Sequence, residues 1–345
     1  MLELPCVVER LELLDPHGAR AEQVVEQRID PLTGTVASVN SALGEKARAF
    51  AAGTDEQVLA ELEVRSRTGC PFCSAGEKGT RYLPSFAPEG QIRRGRSLAM
   101  PNLFGKSRYD SVVIIDTAAH VLRPSQLAPA SLQSALLTAV EVLRRVRSAE
   151  PALAHHLLGM NFLQPGGSSV PHPHFQLQIR GVPFSAPARI LARGAEYRAR
   201  EGRSYWRDLT EKEQAEKVRW LGRVGPVEWL VAWAPCLQRE VWGLLPGVGS
   251  LLELDEGAAR GFAEGIVKVV SYYESIDNHP FTLAFFSSPQ PDQGGAHELQ
   301  VRICARPGLR ATYNNYDTWF APLLGGDGAH VEIPERYAAE LQARW

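Results

Sequence analysis

Two histidines in one short stretch of this chain have the spacing of a reactive site. The stretch is Val170-Pro-His-Pro-His-Phe-Gln176, in which His172, His174 and Gln176 alternate with other residues. Because successive side chains of a strand point to opposite faces, this spacing predicts that the three side chains share one face. The preceding segment, Gln164-Pro-Gly-Gly-Ser-Ser169, contains glycines that allow backbone N–H groups to turn toward an anion. The combination indicates phosphate chemistry.

The residue types at this site suit covalent transfer of a phosphorus-linked group. A neutral imidazole is a nucleophile toward phosphorus, and a covalent intermediate divides one displacement into two easier ones. His174 is the candidate nucleophile. Gln176 can donate a hydrogen bond to a phosphoryl oxygen but cannot supply a proton, so a phosphate leaving group is served better than a basic alcohol or amine. An isolated His-x-His pair is also commonly satisfied by backbone groups, so the neighbouring motifs decide between the two interpretations.

A C-x-x-C pair, Cys70-Pro-Phe-Cys73, lies a hundred residues earlier and is the first of these motifs. Such a pair binds Zn²⁺ when two more ligands come from elsewhere in the chain. The same spacing occurs in glutaredoxin-like redox sites, but those need a helix that begins at the second cysteine. Residues 74–80 contain two glycines and are a poor helix former, so zinc is the better interpretation.

Two histidines are candidates for the remaining zinc ligands. His120 follows a predicted strand at 111–116, and His172 belongs to the motif described above. A closed tetrahedral site is structural rather than catalytic, and this one would hold the strand that carries His174. Without a metal, the two cysteines would be ordinary reduced thiols. The predicted ligands of this Cys₂His₂ site are Cys70, Cys73, His120 and His172.

Taken in order, these motifs resemble a known family. The chain is similar to the galactose-1-phosphate uridylyltransferase family, in the transferase branch of the histidine triad superfamily. The resemblance runs through nearly the whole chain, and its most specific element is the His-Pro-His-x-Gln motif in register with the C-x-x-C pair. The segments that carry it are Arg28-Ile-Asp-Pro-Leu-Thr-Gly34, Cys70-Pro-Phe-Cys73, Pro101-Asn-Leu-Phe104, His120 and Gly166-Gly-Ser-Ser-Val-Pro-His-Pro-His-Phe-Gln176.

The resemblance implies roles for individual residues. It implies that His174 becomes nucleotidylated, that Gln176 donates to the phosphoryl group, and that the zinc ligands are the four named above. Backbone N–H groups between Gly166 and Ser169 would help to stabilise the phosphoryl oxygens. The resemblance also implies a homodimer. The substrate-binding residues proposed on this basis are Asn102, Gly167, Ser168 and Ser169.

Three positions depart from the family pattern. Where the family has a Ser-Pro-x-Arg-x-x-Arg patch that helps to bind phosphate, residues 39–48 retain only Lys46 and Arg48 as basic residues. Residues 300–304 lack the His-x-His that binds a second metal in some members, and we expect no second metal. Phe175 replaces a common glycine, but in a strand its side chain points away from the two catalytic residues.

Composition indicates a soluble enzyme with two lobes. At 345 residues and 44% hydrophobic, the chain exceeds the usual single-domain size. A formal net charge of −2 argues against nucleic acid as the principal partner. The sequence shows neither a signal peptide nor a long apolar run, so we expect no membrane association and a cytoplasmic location. Of the five cysteines, two form the C-x-x-C pair and Cys6, Cys236 and Cys304 are scattered, which is not a secreted disulfide framework.

The order of predicted elements repeats once along the chain. Together with the family resemblance, this repeat implies an α+β fold of two histidine-triad-like lobes, each an antiparallel sheet with packed helices, at 1–182 and 183–345. Only the first lobe has the His-x-His motif, so one active site per chain is expected. We interpret His297 as a surface histidine and His155-His156 as a helix-to-strand connection. The first copy consists of a strand at 111–116, a helix with Leu132, Leu136, Val140 and Leu143, and the His174 strand. The second copy consists of strands at 229–233 and 241–245, a helix from about Asp255, and strands at 281–286 and 298–304.

These features predict a ping-pong nucleotidyltransferase. A nucleoside diphosphate sugar would give its nucleoside monophosphate to His174 and release sugar 1-phosphate, and a phosphate-bearing acceptor would then take that group away. The close rival is a phosphorylase, specific for an ADP- or UDP-linked sugar, that uses inorganic phosphate. A nucleotide-binding protein without turnover is the alternative of a different class, and hydrolysis is disfavoured by Gln176. The aromatic segment 313–320 could line a sugar or base site, or could be an ordinary packed terminus.

Overall fold

The computed structural model describes residues 2–40, 42, 43, 53–290, 296–312, 318 and 320–345. Lys46, Arg48 and most of the aromatic segment 313–320 lie outside the described residues. The described part is α+β, as predicted. Its strands are β1 Cys6–Leu14, β2 Arg20–Ile29, β3 Val36–Asn40, β4 Ile92–Arg94, β5 Ser97–Pro101, β6 Tyr109–Ile114, β7 His155–Phe162, β8 His174–Arg180, β9 Trp220–Val224, β10 Val227–Val231, β11 Val241–Leu245, β12 Phe281–Phe286, β13 Leu299–Ala305 and β14 Gly328–His330. Its helices are α1 Glu56–Arg67, α2 Ala75–Lys78, α3 Pro129–Ala149, α4 Ser185–Glu201, α5 Tyr205–Glu216, α6 Glu256–Ser275 and α7 Pro334–Gln342.

A ten-stranded antiparallel sheet forms the centre of the molecule, in the order β4-β5-β6-β8-β7-β12-β13-β11-β10-β9. Read from its two edges, the sheet has the same arrangement twice, which confirms the tandem pseudo-repeat. The halves join where β7 pairs with β12, with Met160 opposite Leu283. Because both halves share one sheet, the division into 1–182 and 183–345 stays a prediction. His155 and His156 begin β7 and are therefore part of a strand.

A smaller sheet ties the start of the described chain to its end. Its order is β1-β2-β3-β14, and β14 runs parallel to β3, with Gly328 opposite Ala37. Strand β1 lies at the edge of this sheet. The N-terminal strands therefore belong to the same structural unit as residues near the C-terminus.

Helices α3 and α6 cover one face of the large sheet. The apolar residues of α3 recur every three or four positions, and those predicted from this spacing are buried: Leu132, Leu136, Val140 and Leu143. Asp255 caps α6, with its side chain accepting a hydrogen bond of 2.7 Å from the backbone N–H of Ala258. Each buried leucine of α3 contributes roughly 1.5–3 kcal/mol, which holds this helix on the sheet.

Alternation along β8 separates the core from the site. Phe175, Leu177 and Ile179 point into the core under α3, and Phe175 is fully buried. His174 and Gln176 therefore point to the other face, as predicted from strand spacing. On that face, helices α4 and α5 cover the second half of the sheet through a separate apolar cluster.

The prediction for His297 is wrong, because its side chain is only 2% exposed. Its ring packs edge-on against Trp206 of α5, with 5.8 Å between ring centroids, and its Nε2 lies 3.1 Å from the carbonyl oxygen of Phe286. No helix in the described ranges combines the length and apolar character needed to cross a bilayer. Dimerisation and a cytoplasmic location stay predictions.

Candidate active site and metal centre

Four potential metal ligands from distant parts of the sequence converge beside β8. Cys70 and Cys73 lie between α1 and α2, His120 follows β6, and His172 precedes β8. One ligand atom from each of these residues lies within 4.8 Å of the others. The structure thus brings together all four residues that the sequence predicted as zinc ligands.

The separations between these atoms fit a tetrahedral metal ion. Sγ of Cys73 lies 3.2 Å from Nδ1 of His120 and 3.5 Å from Nδ1 of His172, and Sγ of Cys70 lies 3.8 Å from the same His172 nitrogen. Ligand bonds of about 2.3 Å to sulfur and about 2.1 Å to nitrogen place tetrahedral neighbours about 3.6 Å apart. The donor set and its spacing therefore fit zinc.

Groups outside the cluster fix both imidazoles with Nδ1 toward the centre. Nε2 of His120 donates to the Ser66 hydroxyl at 3.0 Å, and that hydroxyl in turn donates to the Leu62 carbonyl. Nε2 of His172 donates to the carbonyl of Asp116 at 3.1 Å. Burial lowers the pKa of His172 to about 4, so this ring is neutral at physiological pH. Neutral rings with Nδ1 unprotonated are what metal ligation requires.

The zinc-ligand segment also orients the candidate nucleophile. Nδ1 of His174 donates to the backbone carbonyl of His172 at 2.8 Å, which leaves Nε2 as the nitrogen available to a substrate. Phe72, between the two cysteines, packs against the His174 ring with 4.8 Å between ring centroids. Burial lowers the pKa of His174, so its imidazole is neutral at pH 7. The result is a fixed, uncharged imidazole in a single tautomer.

His174 and Gln176 line one cavity of about 810 Å³, large enough for a nucleotide. Its walls combine apolar side chains with two cationic side chains, Arg67 and Lys78, both exposed. Predicted residues Asn102 and Ser169 also line it. The remaining lining residues are Gly69, Cys70, Pro71, Phe72, Cys73, Ser74, Gly79, Thr80, Met100, Pro101, Leu103, Phe104, Val112 and Val170.

The glycine-containing loop before β8 is held by the second half of the sheet. Gly166 packs so closely on β12 that a Cβ atom there would lie 2.6 Å from the carbonyl oxygen of Phe281, and its own carbonyl accepts a 3.0 Å hydrogen bond from Thr282. Gly167 has a φ of +90°, a backbone conformation that favours glycine. The second lobe therefore supports the position of this loop.

The loop uses most of its own N–H groups, which corrects the expectation that they are available to an anion. Those of Gly166 and Ser168 donate to the Leu163 carbonyl, and that of Gly167 donates to the Gln164 carbonyl. Gly167 and Ser168 are not among the residues that line the cavity, whereas Ser169 is. Substrate contact by Gly167 and Ser168 stays a prediction, and it would require the loop to rearrange.

Asn102 shapes a turn at the mouth of the cavity. Its Nδ2 donates to Asp110 at 3.1 Å, and its Oδ1 accepts from the backbone N–H of Phe104 at 3.0 Å. This turn leaves Leu103 and Phe104 exposed, the latter at 80%. Asn102 has the local role of a turn residue, and its contact with nucleotide stays a prediction.

Sequence reasoning missed Phe72 and Lys78. Phe72 lies inside the C-x-x-C motif, between two predicted metal ligands. This position is the sequence feature that indicates a side chain close to the site. Lys78 lies five residues after Cys73 and reaches the cavity only because the metal-site segment folds over the sheet. No periodicity marks such a residue.

Comparison with known proteins identifies solved structures that share the fold. No protein-family model matches the chain. An uncharacterized protein of Archaeoglobus fulgidus is 28% identical over 330 residues, which cover 95% of this chain and 94% of that protein. The solved structure of an ADP-glucose phosphorylase from Arabidopsis thaliana with bound ADP-glucose superposes with a TM-score of 0.69 at 15% identity, over 92% of this chain and 98% of that one.

A uridylyltransferase mutant gives a TM-score of 0.66 at 18% identity, over 93% of this chain and 98% of the other. At these identities the likeness establishes the fold. It confirms the fold that the sequence resemblance implied, because both structures align with this chain over nearly their full length.

Proposed function

We propose that this chain transfers a nucleoside monophosphate between a nucleoside diphosphate sugar and a phosphate-bearing acceptor, through a covalent intermediate on His174. The observation that carries the proposal is the hydrogen bond of 2.8 Å between Nδ1 of His174 and the carbonyl of His172. It fixes the tautomer in which Nε2 carries a lone pair, in a cavity that also contains Gln176.

In the first step, Nε2 of His174 attacks the α-phosphorus of the nucleotide sugar. The bond between this phosphorus and the bridging oxygen breaks, and sugar 1-phosphate leaves with the electron pair. Nδ1 keeps its proton, and the His172 carbonyl stabilises the positive charge that the ring acquires. Since phosphate leaves without protonation, the site needs no general acid.

The second step reverses the first with a new partner. A phosphate oxygen of the acceptor attacks the phosphorus, and the bond to Nε2 breaks. In both steps the Gln176 amide would donate to a non-bridging oxygen, and Ser169 would contact the same group. Removal of one donor of this kind typically lowers the rate about 10²–10³-fold.

Zinc bound by Cys70, Cys73, His120 and His172 would act as a structural cross-link. His172 would serve twice, because its Nδ1 faces the ion while its carbonyl holds His174. Zinc thus connects the C-x-x-C segment to the orientation of the nucleophile.

Two acceptors are candidates for the second step, a sugar phosphate and inorganic phosphate. Arg67 and Lys78 place positive charge at the cavity rim, which suits a phosphate-bearing acceptor. The similarity to an ADP-glucose phosphorylase over 92% of this chain supports inorganic phosphate as the second candidate. The two candidates differ in whether phosphate alone discharges the intermediate.

Isotope exchange tests the double displacement. With a nucleotide sugar and labelled sugar 1-phosphate but no second acceptor, the label should enter the nucleotide sugar. We expect His174→Ala to abolish exchange and Gln176→Ala to reduce it about 10²-fold. Gln178→Ala is the matched control, since Gln178 lies two residues further along the same face of β8. Exchange that requires the second acceptor would contradict a covalent intermediate. Nucleotide binding without any exchange, across a panel of donors, would favour a protein without turnover.

Addition of inorganic phosphate to the same assay separates the two acceptors. A phosphorylase would convert nucleotide sugar and phosphate to nucleoside diphosphate and sugar 1-phosphate. A sugar-phosphate-specific transferase would leave phosphate unused. Lys78→Met should raise the KM for the acceptor more than it lowers kcat, because Lys78 is placed at the rim and not beside His174.

A further inference from the structure

A second cavity lies in the other half of the molecule, between helices α4 and α5 and the edge of the large sheet. It measures about 610 Å³ and shares no lining residue with the cavity around His174. Arginines come to it from three elements, Arg198 on α4, Arg207 on α5 and Arg223 on β9. Its lining also includes Ser204, Gly225, Pro226, Glu228, Pro246, Gly247, His297 and Glu298.

Two buried carboxyl groups at this cavity have unused hydrogen-bonding capacity. Glu228 is 0% exposed and Glu298 is 3% exposed. Oε2 of each has no hydrogen-bond partner among the described residues, and the same holds for the Ser204 hydroxyl. A buried polar atom without a partner costs about 1–3 kcal/mol, so three at one cavity call for an explanation.

The arginines satisfy only one of the two oxygens of Glu228 and leave its Oε2 without a hydrogen bond. Arg223 donates to Oε1 of Glu228 through both Nε, at 3.1 Å, and Nη2, and Gln214 donates to the same oxygen at 3.3 Å. Nη1 of Arg207 lies 3.7 Å from Glu228 Oε2, too far for a hydrogen bond. The Arg207 and Arg223 side chains are 37% and 61% exposed, so the N–H groups that do not donate to Glu228 can meet a ligand that enters from solvent.

We propose that this cavity binds a phosphorylated polyol, of which a hexose monophosphate is the simplest case. The phosphate would lie among the guanidinium groups of Arg198, Arg207 and Arg223, which are the donors best suited to phosphate. Hydroxyl groups of the ligand would donate to Oε2 of Glu228 and Glu298. A simple oxyanion would use only the arginines, so the hydroxyl-bearing ligand binds more tightly.

Charge at the cavity depends on pH through Glu298. Burial raises its pKa to about 7, and the neighbouring carboxylate of Glu228 adds to the rise. The groups around it are Arg198 on α4, Arg207 on α5, Arg223 on β9, Glu228 on β10 and the adjacent His297. Protonation of Glu298 below pH 7 removes one negative charge from this set, which favours an anionic ligand.

Calorimetric titration of the full-length protein with glucose 6-phosphate and with sulfate tests the proposal. We expect saturable binding of glucose 6-phosphate, weaker binding of sulfate, and an affinity at least about fivefold lower in Arg198→Gln and Arg207→Gln. Arg200→Gln is the matched control, because Arg200 lies on the same helix as Arg198 and is not among the residues that line this cavity. Arg198 is exposed, so its replacement leaves the fold intact.

The pH dependence gives a second measurement, for which sulfate is the probe because it does not titrate in this range. Sulfate affinity should increase severalfold from pH 8 to pH 6 in the wild type, and should be nearly constant in Glu298→Gln. Absence of saturable binding below about 20 mM would overturn the proposal. The proposal would also be overturned if Arg198→Gln and Arg207→Gln left binding unchanged, or if Lys78→Met abolished binding. In either case the ligand would lie elsewhere. These outcomes are independent of transfer activity at His174.

Discussion

Glu335→Gln should destabilise the protein by about 2–3 kcal/mol, because Glu335 neutralises two nearly buried arginines. Both nitrogens of the Arg28 fork donate to it at 2.9 Å, and Arg219 donates at 2.8 Å. The two guanidinium groups lie over Trp233, with 4.4 and 4.9 Å to its ring centroid. The cluster connects β2, the segment just before β9, and α7, and so holds the small sheet to the second half of the molecule.

The magnitude follows from burial. Removal of one partner from a fully buried ion pair costs about 3–5 kcal/mol. Both arginine side chains are 4% exposed, but Glu335 is 26% exposed. Each arginine also keeps a second carboxylate, Glu26 for Arg28 and Glu213 for Arg219. These two features reduce the expected cost to about 2–3 kcal/mol.

Urea unfolding at pH 7, followed by circular dichroism, measures this difference. The matched control is Glu196→Gln, which removes an exposed partner of Arg193 and should cost less than about 0.5 kcal/mol. Burial alone would raise the pKa of Glu335, but hydrogen bonds from Arg28 and Arg219 outweigh it and the pKa is lowered. The stabilisation is therefore present above the ordinary value of 4.5 and is lost as pH falls below it. A difference at pH 7 no larger than that of the control would refute the reasoning.

Three further predictions concern the site. Cys73→Ser should release bound zinc, lower the free energy of unfolding by at least about 2 kcal/mol and abolish transfer. Metal analysis, urea unfolding and the exchange assay measure these three effects. Full activity without zinc would contradict the prediction. Because burial lowers the pKa of His174, kcat/KM should decline on acidification with a midpoint below 6.5, when the nucleophile becomes protonated. A pH–rate profile with a decline centred above 6.5 would contradict the assignment. Gly166→Ala should lower exchange about ten- to hundredfold, because its Cβ would displace the loop from the Phe281 carbonyl. Gly257→Ala, in α6, serves as the control, because a Cβ there would make only an ordinary contact of 3.5 Å.

The site residues were predictable because their residue types and their spacing within short motifs indicate their chemistry. Strand alternation alone placed His174 and Gln176 on one face and Phe175 on the other, and the structure has this arrangement. The Cys₂His₂ cluster was predictable because the C-x-x-C pair requires two further ligands, and the family resemblance implied His120 and His172. Amphipathic spacing likewise identified α3 and α6.

Features that depend on long-range pairing were not predictable. The joining of both halves into one sheet rests on the register of β7 with β12, which no local pattern encodes. His297 was expected at the surface because a histidine near polar residues gives no sign of the tryptophan packed against it. The hydrogen bonds that occupy Gly166, Gly167 and Ser168 result from a tight turn at Leu163, which has a positive φ of 60° that its residue type does not indicate.

Intact-protein mass spectrometry tests the central claim most directly. The protein is mixed briefly with a panel of nucleoside diphosphate sugars, without an acceptor, and His174→Ala is treated in parallel. The account predicts an adduct with the mass of a nucleoside monophosphate on the wild type alone, and that mass identifies the base. An adduct that persists in His174→Ala would contradict the assignment of the nucleophile. Exchange activity with no adduct at any donor or time would contradict the covalent mechanism itself.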